Sequence, residues 1–175
     1  MSSAIRVLCV DDHRLMREGI ARIVGVQPDM TVVAEAADGE QAVEQFLRYR
    51  PDVTLMDLEM PTMNGVQAIQ SIRSHQPDAR IVVLTMYHGD EDIFRAVAAG
   101  AIGYLLKDTL PDDLIRVIRD VHAGQRAIPP EIAAALGISG DTASAHIKSI
   151  FLKFNVHDRT AALAEALRRG IIHIP

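Results

Sequence analysis

The chain has 175 residues, 49% of them hydrophobic and 23% charged, with 18 basic and 23 acidic side chains. One cysteine excludes an internal disulfide framework, no apolar run approaches the about 18 residues of a membrane span, and the opening MSSAIRVLCV lacks the pattern of a signal peptide, so a soluble, cytoplasmic protein with no membrane partner is expected. The acidity is uneven: residues 1–125 carry 12 Lys/Arg against 19 Asp/Glu, and residues 126–175 carry 6 against 4, which suggests an acidic body and a tail suited to nucleic acid.

Residues 5–10 (IRVLCV) read as a strand, and Met16, Ile20, Ile23 and Val24 then share one face of a helix. Residues 30–36 form the second strand, followed by a helix from Gly39 with Val43, Phe46 and Leu47 inward. The third strand is 53–56. After a turn-rich loop at 61–65 comes a helix carrying Val66, Ile69 and Ile72. A fourth strand at 80–85, a helix around 93–98 and a short fifth strand at 101–106 lead to a last helix. Pro111 opens that helix, and Leu114, Val117, Ile118 and Val121 lie on one face of it. Five β-α units in alternation predict an α/β fold, a doubly wound parallel five-stranded sheet with helices on both faces. The strands read as apolar on both sides, as a covered parallel sheet requires.

The segment GQRAIPP at 124–130 breaks the alternation and serves as a linker. Beyond it the pattern is helical only, over about 130–136, 141–154 and 160–169, with Gly170 as a C-cap. The expected organisation is an α/β domain at 1–123, a linker at 124–130 and a small all-α segment at 131–175.

In an open parallel sheet, ligands bind at the carboxyl ends of the strands, where the strand order reverses. Read in order, those ends carry Asp11 and Asp12, then Asp57, Thr85 and Lys107. A single aspartate there is commonly a loop or helix cap, but five polar residues directly after apolar strands make a site. Carboxylates about 4 Å apart repel by roughly 4 kcal/mol per pair at an effective dielectric near 20. A divalent cation relieves that repulsion, and Mg²⁺ suits an all-oxygen site. Thr85 and Lys107 add a hydroxyl and a fixed positive charge, a set built to stabilise a phosphoryl group.

Val10-Asp-Asp-His13, Leu55-Met-Asp-Leu-Glu-Met-Pro61, Val83-Leu-Thr85 and Gly103-Tyr-Leu-Leu-Lys107 resemble the receiver domain of bacterial two-component response regulators, over residues 5–123. The resemblance implies a flavodoxin-like 2-1-3-4-5 sheet and a phosphoryl group accepted on Asp57 from a sensor histidine kinase. It implies Mg²⁺ held by Asp11, Asp12, Asp57 and the backbone carbonyl of Glu59. It also implies phosphoryl contacts from Thr85 and Lys107, with Tyr104 as the aromatic that responds to them. Asp108 stands where receivers often carry proline. Met86 stands where many carry a small residue, and its bulk beside the site predicts slow attack by water and a long-lived phospho-Asp57.

In the tail, 131–139 followed by 141–154 resembles a helix-turn-helix, with Gly137 at the turn and Ser139 as cap. Leu136-Gly-Ile-Ser, His146-Ile-Lys148, Asp158-Arg-Thr160 and Ala166-Leu-Arg-Arg-Gly170 resemble the output domain of the NarL/FixJ (LuxR-type) regulators. By that resemblance Ser144, Ala145 and Lys148 face DNA, His146, Lys148 and Lys153 supply phosphate contacts, and the 161–169 helix supports a homodimer. The first helix of that output domain has no counterpart between Ile128 and Glu131. Two functions follow: control of transcription through the helix-turn-helix, or a phosphorylation-dependent dimerisation or protein-docking regulator that has lost specific DNA binding. An aspartyl phosphatase using Glu59 as general acid fits the Asp11-Asp12 pair and Lys107 less well, so no enzyme beyond slow autodephosphorylation is expected.

Overall fold

The computed structural model describes residues 4–86 and 90–128. The chain divides after Ile128 into two units, and the architecture below is that of the first. The predicted tail helices, with Ser144, Ala145, His146, Lys148 and Lys153, lie outside the described residues.

Five strands and five helices alternate: β1 (Ile5–Val10), α1 (Arg14–Gly25), β2 (Met30–Ala36), α2 (Gly39–Tyr49), β3 (Val53–Met56), α3 (Gly65–His75), β4 (Ile81–Thr85), α4 (Asp90–Ala99), β5 (Gly103–Leu106) and α5 (Pro111–His122). All pairings are parallel and the sheet order is β2-β1-β3-β4-β5. β1 to β2 steps one way and β2 to β3 steps back, so right-handed crossovers place α1 and α5 on one face and α2, α3 and α4 on the other. On the first face Val7, Cys9, Val53, Leu55, Val82 and Leu84 pack with Ile20 and Val24 of α1 and with Leu114, Ile115, Ile118 and Val121 of α5. Strand residues of the opposite parity, among them Leu8, Val10, Met56, Ile81 and Val83, are equally buried, as are Phe46, Ala68, Ile69 and Ile72 of α2 and α3.

Local chemistry sets several boundaries. Asp38 accepts a hydrogen bond from the Gln41 N–H and caps α2. Asn64 and Gln67 form a reciprocal capping box that starts α3 directly after the third strand's loop. Pro111 occupies the first turn of α5, where its missing N–H costs nothing.

Three differences from the sequence reading have physical causes. β2 is only partly covered, because it lies at the edge of the sheet; both-sided burial holds for β1, β3 and β4. β5 starts at Gly103, not at 101, because Gly100 takes a left-handed turn (φ +115°) before it. The stretch after α5 is not a free linker from its first residue. Ala127 bridges to β5: the Tyr104 N–H donates to the Ala127 carbonyl at 2.9 Å, and the Ala127 N–H donates to the Ile102 carbonyl at 2.9 Å.

Cys9 belongs to the core, as expected, and is fully buried. Burial above all, with the charges of Asp11 and Glu35, pushes its thiol from 9.0 up to about 12. The native state therefore keeps its proton where the unfolded chain loses it. Stability is expected to fall by up to about 1.4 kcal/mol per pH unit as pH rises from 9 toward 12. In denaturant titrations at pH 8, 9 and 10, Cys9→Ala should show a shallower alkaline decline than the parent.

Candidate phosphoacceptor site

The site is assembled where the sheet order reverses, in the crevice beyond β1 and β3. Asp11 follows β1 directly, and its N–H donates to the Ala36 carbonyl at the end of β2. Asp57 follows β3, and its N–H donates to the Val10 carbonyl at 2.9 Å. These main-chain bonds continue the sheet by one residue and place the two carboxylates side by side. Lys107 follows β5 and is tied by its own N–H to the Thr85 carbonyl at 2.9 Å. Gly65 allows the loop after β3 to fold back tightly, because a Cβ there would lie 2.0 Å from the Asp57 carbonyl oxygen.

Asp11 and Asp57 are almost wholly buried, as is the Lys107 side chain. The Lys107 ammonium crosses the top of β4 and donates to Asp57 Oδ2 at 2.7 Å. It also stands 2.8 Å from Asp11 Oδ2. That second contact is a charge pairing without hydrogen-bond geometry, since Asp11 Oδ2 is buried with no hydrogen-bond partner. The Glu59 N–H donates to Asp57 Oδ1 at 3.3 Å. Burial pushes the Asp57 carboxyl above its usual range and Asp11's charge adds to this, while Lys107's hydrogen bond and charge work against it. For Lys107, burial acts downward, but its close contacts with the Asp11 and Asp57 carboxylates and their charges outweigh it and the net shift is upward.

The donor atoms of Asp11, Asp12, His13 and Asp57 all lie within 4.8 Å of one another. Three carboxylates, one of which has a buried oxygen that takes no hydrogen bond, are the donors a small hard cation takes, so the residues fit Mg²⁺. Asp12 is exposed at the rim of this group, and Glu59 is exposed on the following loop. An open groove runs from Asp12 and Glu59 between α3 and α4, past Val66 and Phe94.

Thr85 is buried at the end of β4. Tyr104 is buried in β5 beside Val83. Burial, with the charge of Asp92 on α4, raises its hydroxyl pKa. Met86 is 66% exposed directly after Thr85. Thus Asp11, Asp57 and Lys107 are in direct contact, Asp12 joins them at the rim, and Thr85 and Tyr104 flank them from β4 and β5.

Two neighbours escaped the sequence reading. His13, a solvent-exposed residue, donates its N–H to Asp11 Oδ1 at 2.8 Å and sets Nδ1 2.7 Å from Asp12 Oδ1. Arg17 donates to the Asp11 carbonyl at 2.6 Å and to Glu35 at 3.3 Å. Adjacency to the Asp pair was the available signal for His13; Arg17 had none, because helical periodicity places it simply off the apolar face.

A flavodoxin-like sheet with paired carboxylates and a buried lysine at its switch point defines the receiver class of α/β domain. Residues 7–119 match the response regulator receiver domain family, and residues 116–166 match the luxR family of bacterial regulatory proteins. The chain is 35% identical to the uncharacterized transcriptional regulatory protein YxjL of Bacillus subtilis, over 96% of this chain and 97% of that one. It is 40% identical to the nitrate/nitrite response regulator protein NarL of Escherichia coli, over 74% of this chain and 62% of that one. A crystal structure of a LuxR-family two-component response regulator from Aurantimonas sp. superposes with a TM-score of 0.71 at 38% identity, covering 78% of this chain and 97% of that one. The chain belongs to the response regulators of two-component systems, transcriptional regulatory proteins with a receiver domain and a LuxR-type helix-turn-helix region.

The match to YxjL runs over 212 positions, yet 96% of 175 residues fills only about 168 of them, leaving about 44 with no residue from this chain. The luxR match begins inside α5, where Val117, Ile118 and Val121 are already part of the receiver core. Among the described residues no helix is long and apolar enough to cross a membrane.

Proposed function

We propose that the chain is cytoplasmic, that Asp57 is the phosphoacceptor and that its phosphorylation by a sensor histidine kinase controls transcription through the tail. The observation that carries this reading is the buried contact of Lys107 with both Asp57 and Asp11 at the switch point of the sheet. An Asp57 oxygen attacks the phosphorus of a phosphohistidine; the P–O bond forms, the P–N bond breaks and the imidazole leaves with a proton. Asp11, Asp12, Asp57 and the Glu59 carbonyl would hold Mg²⁺, which would supply positive charge to the acidic pair and to the phosphoryl oxygens. Lys107 keeps its proton at Nζ and offers it to an incoming phosphoryl oxygen, and Thr85 supplies a hydroxyl donor from the other side.

Phosphorylation adds about −1.5 to −2 charges and new acceptor oxygens. Thr85 turning toward those oxygens leaves room beside β4 for Tyr104, so the faces of α4 and β5 differ between the two forms. The chain performs no turnover beyond slow loss of its own phosphoryl group, slowed by Met86. The domains are 1–123 and 131–175, joined through 124–130, of which Ala127 is held beside β5, and Ser144, Ala145, His146, Lys148 and Lys153 meet DNA as part of a homodimer.

The shortened output region favours a second reading, in which the phosphorylated chain dimerises or docks on protein without specific DNA binding. Loading with acetyl phosphate, followed by size measurement and DNA binding at two salt concentrations, separates the two. Salt-sensitive, phosphorylation-enhanced binding supports the first; dimerisation without it supports the second. A phosphoprotein half-life of seconds would overturn the role given to Met86.

A further inference from the structure

We propose that Arg17 is a positioning residue for the cation-binding loop, holding the Asp11–Asp12 peptide so that Asp12 faces the cation. The proposal rests on the reading of Asp11 and Asp12 as cation ligands and extends it to a residue outside that set.

Arg17 lies on α1, one turn after the loop, yet only 15% of its side chain is exposed, a low value for an arginine. Its guanidinium donates through Nη1 to the Asp11 carbonyl at 2.6 Å and through Nε to Glu35 Oε2 at 3.3 Å. The Asp11 carbonyl stands just past the last residue of the β1 ladder, since Val10 is the final partner of Ala36 and of Met56. The sheet therefore fixes the Asp11 N–H, through Ala36, but not the Asp11 carbonyl. Arg17 supplies that missing restraint. The carbonyl belongs to the peptide that carries Asp12, so its direction sets where the Asp12 side chain begins.

The Asp12 side chain has little else to hold it. It is about a third exposed, and among the described residues the polar contact it makes is with its exposed neighbour His13. Asp11, by contrast, is fixed by burial, by Lys107 and by the His13 N–H. Glu35 closes the arrangement from β2. It orients the fork of the guanidinium and offsets its charge, so that the carbonyl is restrained without a bare positive charge beside the cation.

Positioning and simple charge predict opposite signs. Removing a positive charge near a cation site should raise cation affinity; losing the restraint on Asp12 should lower it. Partners that orient metal ligands typically account for about 10–100-fold in affinity. The test is calorimetric titration of the full chain with Mg²⁺, with thermal melts as a check on folding. Arg17→Met is expected to bind Mg²⁺ about 10-fold more weakly, with phosphoryl uptake from acetyl phosphate recovering toward the parent rate at saturating Mg²⁺. Arg17→Lys, which can still donate to the carbonyl, should recover most of the affinity, and Glu35→Gln, which keeps an acceptor for Nε but no longer offsets the guanidinium charge, should weaken binding less than Arg17→Met does.

Unchanged or tighter Mg²⁺ binding by a folded Arg17→Met would overturn the proposal, as would an Arg17→Lys variant no better than Arg17→Met. If Arg17→Met melts below the working temperature, Arg17→Lys and Glu35→Gln decide the matter alone: Lys binding as weakly as a broken site overturns it. Asp12→Ala is the control for the underlying reading. If that variant binds Mg²⁺ as the parent does, the assignment of the site itself fails, whatever Arg17 does.

Discussion

Asp57→Asn is expected to reduce phosphoryl uptake from acetyl phosphate to background, read by intact-protein mass or by a phosphate-retarding gel. The amide keeps the shape of the carboxylate but offers no anionic oxygen to attack phosphorus. The change should also stabilise the fold. Burial already pushes the Asp57 carboxyl up, so the native state resists its ionised form. A carboxyl raised in this way supports the fold fully below its unfolded pKa and loses that support as pH rises through its native value. Replacing it with a neutral group of the same shape removes that penalty at neutral pH. The pair of outcomes is diagnostic: a residue kept for stability loses stability on substitution, whereas one kept for chemistry gains it. Loss of both uptake and stability would mean that the asparagine had disturbed the loop, and Asp57→Ala would then be compared in the same assays.

The strands were legible because each is a short apolar run that needs no partner to be recognised. Their ends were legible too, because Asp11, Asp57, Thr85 and Lys107 interrupt such runs abruptly. A sequence cannot state how side chains reach across the sheet. Lys107 is fifty residues from Asp57, and only the order β1-β3-β4-β5 makes their contact short. The edge position of β2 followed from the resemblance and its 2-1-3-4-5 order, but the run of apolar residues in MTVVAEA did not by itself show that the strand is only partly covered. Ala127 was read as linker because the turn chemistry of Gly124 outweighs a single apolar residue, while two main-chain bonds to β5 decide the matter in three dimensions. Arg17 was hidden because a helical polar face is usually solvated, and its burial comes from a carbonyl left unpaired beyond the end of β1.

The second large effect should come from Lys107, which separates two buried carboxylates. Lys107→Met keeps much of the side chain's volume but leaves Asp11 and Asp57 facing each other without a countercharge. Breaking a buried charge pairing by removing one partner costs about 3–5 kcal/mol, and that loss is expected at pH 8 in denaturant titrations without divalent cation. The loss has a direction in pH. In the parent, Lys107's native pKa is raised, so its contribution is fully present at neutral pH and vanishes only in strong alkali. In the variant, Asp57 can take a proton more readily than an exposed aspartate, so acidification to pH 5.5 should return part of the stability. Millimolar Mg²⁺ should return more, because it restores positive charge to the same oxygens. The combined Asp57→Asn, Lys107→Met variant tests the cause directly: with one carboxylate neutralised, it should be more stable than Lys107→Met alone. Equal stability of the two would show that the ammonium acts through packing and not through charge, and would remove the electrostatic basis for placing an incoming phosphoryl group beside it.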